Sequence, residues 1–202
     1  MCAYYNHLSS FTEVFHEKIN KKTIEYGIVK GFNKTLLIKT GLNGSIYGYQ
    51  NKYLDIALRI RKKYGYTVIV SSNPAEIFLG NYFGRTKDRI KNAVDIAKEY
   101  GETNEIFFFG HSNGALMALE HAYKYPQIKK LILVNTPVCF DNLNFVNKKI
   151  QNYQDLTMVY GSLDNSNKYF TKLAKPPVII DGEDHHFSKG KYDFCTIPEM
   201  FL

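Results

Sequence analysis

The sequence predicts an α/β fold, a mostly parallel twisted sheet with helices on both faces. Two observations carry that expectation. From residue 23 onward, short apolar runs of strand length alternate with amphipathic stretches of helical period. The strand-like runs are also apolar at consecutive positions, as strands covered on both faces must be.

The elements follow in order. Residues 13–19 and 23–29 read as an antiparallel hairpin, the one expected departure from parallel order. Residues 35–39 form the next strand, after a turn at Gly31-Phe32-Asn33. A helix is expected over 51–64, with Leu54, Ala57, Leu58 and Arg61 at helical spacing. Gly65 stops it, and Lys62 and Lys63 suit the negative end of its dipole. The β-branched run 66–70 is a strand ended by Ser71-Ser72-Asn73-Pro74. A helix over 87–100 places Ile90, Ala93, Val94 and Ala97 on one face and stops at Gly101. Strands are then expected at 106–109, 131–134, 156–160 and 177–180. Helices are expected at 115–122 and, briefly, at 167–174.

A chain of 202 residues can bury a substantial core as one domain spanning 1–202, and no repeat or linker divides it. No apolar run approaches the roughly 20 residues of a membrane span. The N-terminus has neither a basic start nor an apolar stretch, so no signal peptide is expected. Three widely spaced cysteines, Cys2, Cys139 and Cys195, suggest reduced thiols and a cytoplasmic location. The net charge of +7 raises the question of nucleic acid. The basic residues, however, are scattered pairs such as Lys21-Lys22 and Lys129-Lys130, with no long run and no interleaved aromatics. Nucleic acid is therefore not expected as a partner.

The chemistry concentrates at Gly110-His111-Ser112-Asn113-Gly114, which spells G-x-S-x-G. By composition alone this pattern would occur in such a chain with a probability of about 4%, so its flanks supply the weight. The apolar strand 106–109 precedes it and a good helix former follows. A serine at so sharp a strand-to-helix turn sits in a strained backbone conformation, and side chains at the outer glycines would collide with strand and helix.

Sites in open α/β sheets gather at the carboxyl ends of strands. Those ends supply Ser112, then Asp164 in Tyr160-Gly161-Ser162-Leu163-Asp164, then His185 in Gly182-Glu183-Asp184-His185. With this serine–acid–histidine order the chain resembles the α/β-hydrolase superfamily over nearly its whole length, as a small capless member of the esterase or thioesterase kind. The resemblance implies Ser112 as nucleophile, His185 as base and Asp164 as the acid that orients it. His186 is the competing base, disfavoured by motif register, and Asp141 the alternative acid. Asp181 and Asp184 lie too close to His185 in sequence and suit turn roles. The oxyanion donors implied are the amides of Asn113 and Leu42, with Asn43 as an alternative to Leu42. Many relatives read His-Gly-x where this chain has Thr40-Gly41-Leu42, which leaves the anchoring of that loop open.

Other readings of the same residues exist. Asp184-His185-His186 spells the DHH of a metal-dependent phosphoesterase family, but the companion aspartate motifs are missing, so no metal and no cofactor is expected. A peptidase or amidase would use the same triad, and a noncatalytic binding protein could keep the fold. Only residues 138–155 stand where caps insert, room for a flap or short helix. Val138, Phe140, Leu143, Phe145 and Val146 either line an acyl pocket there or simply pack. Asn43, His111 and Phe187 are the remaining pocket candidates. The expected substrate is a small-molecule acyl ester or thioester.

Overall fold

The computed structural model describes residues 10–75 and 82–202. Cys2 and the N-terminal residues weighed as a leader lie outside them. The described strands are β1 (Glu13–Ile19), β2 (Lys22–Val29), β3 (Thr35–Lys39), β4 (Thr67–Ser71), β5 (Ile106–His111), β6 (Ile128–Val134), β7 (Leu156–Gly161) and β8 (Val178–Ile180). They form one sheet in the order β1-β2-β4-β3-β5-β6-β7-β8. The pairs β1–β2 and β2–β4 are antiparallel and all others parallel, so the N-terminal hairpin is the antiparallel edge that the sequence predicts.

Alternation along each strand divides the core into two layers. Leu37, Ile69, Phe108, Leu133 and Met158 point to one face, where they meet α2 (Tyr82–Tyr100), α3 (Asn113–His121) and α4 (Leu143–Ile150). Leu36, Ile38, Val68, Val70, Phe109 and Val134 point to the other. There they meet α1 (Lys52–Tyr64) and the C-terminal turns carrying Phe194 and Ile197. Gly65 ends α1 in the left-handed region (φ 71°), donating its N–H to Arg61 O.

Three elements differ from the sequence expectation. Helix α2 begins at Tyr82 rather than near residue 87. Strand β6 begins at Ile128, ahead of the apolar run, because its first residues lie at the solvent-facing amino edge of the sheet. The stretch expected as a short α-helix is a 3₁₀ segment, Asn167–Lys172, with no buried residue to reward a full helical turn.

The sheet order also sets where a site can form. From β3 the chain winds outward to β4, then returns across β3 to start β5 on its other side. The carboxyl ends of β3 and β5 therefore flank the topological switch point, where open α/β sheets leave a crevice.

Candidate active site

Strand β5 runs to His111 and α3 starts at Asn113, leaving Ser112 alone to make the turn. Its φ of 54° and ψ of −122° lie far from either element, a conformation that an L-residue adopts only when its surroundings impose it. The flanking glycines are what those surroundings demand. A Cβ on Gly110 would stand 2.7 Å from Ala115 Cα, and one on Gly114 would stand 2.3 Å from Thr40 O. Both obstacles are backbone and cannot swing aside. Gly114→Ala is therefore expected to destabilise the fold by about 1–3 kcal/mol or more, read as a lowered midpoint in chemical denaturation. Although Ser112 is the N-cap residue of α3, its side chain makes no capping bond. Its Oγ instead lies 2.8 Å from His185 Nε2.

His185 stands on the loop after β8, and its Nδ1 lies 2.5 Å from Asp164 Oδ2. Asp164 sits on the turn after β7, where its N–H donates to Gly161 O and its Oδ1 accepts the Ser166 N–H at 2.7 Å. Burial pushes the Asp164 carboxyl up. The hydrogen bonds from His185 and Ser166 outweigh that push and hold it below its ordinary value. Serine, histidine and aspartate thus form one hydrogen-bonded line.

The competing residues stand elsewhere. His186 is exposed, its ring at 89° to that of His185 with centroids 5.2 Å apart. Asp141 is exposed on a 3₁₀ turn, and Asp181 accepts from Ser162 Oγ. Asp184 folds its own loop, accepting the N–H groups of His186 and Ser188 and the Ser188 hydroxyl. These bonds, led by the hydroxyl's, hold its carboxyl down at about 2. Among the described residues no three His, Cys, Asp or Glu side chains converge as metal ligands.

The loop after β3 lies directly against the serine, since a Cβ on Gly41 would stand 3.3 Å from Ser112 Cβ. Leu42 follows it and is exposed. The Asn43 N–H, the alternative oxyanion donor, is already spent on Asn73 O at 2.8 Å, and the Asn43 side chain accepts from Ala75 N. Asn43 therefore ties the loop after β3 to the segment after β4 through both its backbone and its side chain. The anchor left open by the missing histidine is Asn73 at the end of β4. Its amide donates to Thr40 O (3.3 Å) and Asn113 Oδ1 (3.0 Å), while its Oδ1 accepts from Arg89. Lys39, fully buried, adds a second tie: its Nζ donates to Ser71 Oγ at 2.9 Å and to Ser72 O at 2.5 Å. Burial, helped by the nearby Arg89 charge, lowers its pKa well below the usual lysine value.

The predicted pocket residues divide. Val138 lines a 310 Å³ cleft beside His185, walled also by Pro137, Cys139, Asn142, Asp164 and Ser166. Phe140 is 81% exposed and faces solvent. Val146 is buried in the core under α4, with Leu143 and Phe145 packed against that cluster, so these three are packing residues. Phe187 is buried against Phe194, at the wall of a neighbouring 710 Å³ cavity. His111 is buried behind the serine, its ring edge-on to Phe194.

Asn135 was legible only as a strand end. It is buried with φ 48° and its amide donates to His185 O at 2.8 Å and Asp184 O at 3.2 Å, while its Oδ1 accepts the Gly161 N–H. One side chain thus fastens the histidine loop to the turn that leads into Asp164. An asparagine just past an apolar strand, able to adopt φ > 0, is the signal that could have found it.

No protein-family model and no curated protein sequence matches the chain. Solved structures do. An α/β serine hydrolase homologue from Coxiella burnetii superposes with a TM-score of 0.65 at 19% identity, covering 90% of this chain and 92% of that one. A serine hydrolase without lid from Xanthomonas campestris gives 0.62 at 14% identity, covering 90% and 88%. The thioesterase domain from the curacin biosynthetic pathway gives 0.62 at 15% identity, covering 86% and 93%. At such identities it is architecture that is shared, and nearly the full length of each chain shares it. The chain has the α/β-hydrolase fold.

Proposed function

We propose that the protein is a serine hydrolase that cleaves a carboxylic ester or thioester through an acyl-enzyme. The observation that carries this reading is the continuous line from Ser112 Oγ through the His185 ring to Asp164. Asp164 accepts the Nδ1 proton and so leaves Nε2 bare, ready to take the proton of Ser112. The freed alkoxide attacks the acyl carbon while His185 holds the proton, and Asp164 stabilises the imidazolium. The N–H groups of Leu42 and Asn113 receive the charge that develops on the carbonyl oxygen. Collapse returns the proton to the leaving alcohol or thiol. Water repeats the sequence and releases the acid.

The cleft at Val138 beside His185 suits a small or flexible acyl group. The chain reads as one domain over 1–202, with residues 138–142 as the part of segment 138–155 nearest the site. Helix α4, which occupies most of the remainder, is packed on the core. Free Cys139 and Cys195 accord with a reducing cytoplasm.

A fluorophosphonate probe on the full chain tests the reading, and a panel of esters, thioesters and peptides separates acyl classes. Hydrolysis is expected to persist undiminished in EDTA. Complete loss, restored by zinc or manganese, would favour a metal-dependent phosphoesterase instead.

A further inference from the structure

We propose that the buried Tyr53–His111 pair is a positioning relay that holds the loop after β3 and the loop carrying His185 in register; this rests on the serine-hydrolase reading. His111 is the first of the two variable residues of G-x-S-x-G, yet it touches both loops. Its Nε2 lies 3.3 Å from His185 O, and its Nδ1 lies 2.9 Å from Tyr53 Oη. Tyr53, on the first turn of α1, accepts in turn from Gly41 N–H at a long 3.5 Å.

The partners fix the protons. A carbonyl oxygen cannot donate, so Nε2 carries the hydrogen and donates to His185 O. Burial, reinforced by the Lys52 charge, lowers the His111 pKa well below its ordinary value, so the ring is neutral and Nδ1 is bare. Nδ1 must then accept, and Tyr53 O–H is the donor. That leaves the tyrosine oxygen lone pairs for Gly41 N–H. Every group in the chain from Gly41 to His185 has one role, and no second arrangement satisfies them all.

The consequence concerns geometry at the serine. His185 O receives donors from both His111 and Asn135, which pins the backbone of the residue whose ring must face Ser112 and Asp164 at once. At the other end, Gly41 lies against Ser112 and precedes Leu42, whose amide the proposed oxyanion hole requires. Both tyrosine and imidazole are wedged on Phe194, with ring centroids at 6.2 and 5.1 Å, so neither can swing to absorb a shift. Tyr53 and His111 are positioning residues. Neither contacts the reacting atoms.

The test uses the full-length protein with Tyr53→Phe, His111→Gln, His111→Leu and the double variant Tyr53→Phe/His111→Leu. Glutamine can keep an N–H toward His185 O and an oxygen toward Tyr53, whereas leucine can keep neither. Ester hydrolysis by His111→Leu is expected to lose about tenfold to a hundredfold in kcat with KM within about threefold, and His111→Gln to recover most of it. The double variant should be no slower than His111→Leu, because the pair acts as a unit. Independently of activity, ¹⁵N spectra at neutral pH should show His111 protonated on Nε2 and bare at Nδ1. A proton on Nδ1, additive losses in the double variant, or wild-type kcat in His111→Leu overturns the relay. If a variant does not fold, Tyr53→Phe, which keeps the ring, and the wild-type spectrum still decide it. A wild-type chain that neither hydrolyses esters nor takes a fluorophosphonate at Ser112 overturns the hydrolase reading, while the spectrum still decides the relay.

Discussion

Ser112→Ala is expected to abolish fluorophosphonate labelling and to lower ester hydrolysis by about 10⁵-fold or more in kcat. The size follows from what the serine does in the proposed cycle. Without Oγ there is no acyl-enzyme, and His185 has only water to activate, without the fixed geometry of the elbow. The substitution removes one oxygen from a half-buried side chain that makes no capping bond, so stability should scarcely change. Intact-mass measurement after probe treatment, with peptide mapping of the adduct, checks the site. Label retained on Ser112→Ala would place the nucleophile elsewhere, and an unlabelled wild-type chain would favour a noncatalytic binding protein.

His185→Ala should lower kcat by at least about 10³-fold, while His186→Ala keeps kcat within about threefold. The two rings are adjacent in sequence but perpendicular, and only His185 lies between Ser112 and Asp164. Its removal takes away both the proton acceptor and the group that returns the proton to the leaving alcohol. His186 is exposed, and Asp184 accepts its backbone N–H, a bond that alanine preserves. Steady-state kinetics on one ester, with probe labelling rates beside them, separates the two. The reverse order of losses would exchange the roles assigned to the histidines.

The local chain was largely legible because strands covered on both faces leave a continuous apolar signature and helices a periodic one. Gly65 announced the end of α1 through the backbone conformation only glycine adopts freely. The elbow was legible for a similar reason: Gly110 and Gly114 are required by contacts with Ala115 and Thr40, so the motif records its own steric surroundings. Asn43 shows the limit. Its place beside Leu42 made it the alternative oxyanion candidate, and only the pairing of its N–H with Asn73 O removed it. Phe140 and Val146 carry the same lesson, since hydrophobicity marks both while the fold exposes one and buries the other.

What the sequence by itself determined is the order of elements, the two-sided sheet and the chain order serine, acid, histidine, because each is written in local pattern or local strain. Strand order, and with it the crevice between β3 and β5, came only from the tertiary structure. So did the ties that meet at the site, from Asn73 to the β3 loop, from Asn135 to the histidine loop, and through Tyr53 and His111 between the two. These are single polar contacts between residues 12 to 74 positions apart, and nothing in the neighbouring sequence of either partner encodes the other. Hydrophobic periodicity reports which face of an element is buried. It does not report what that face meets.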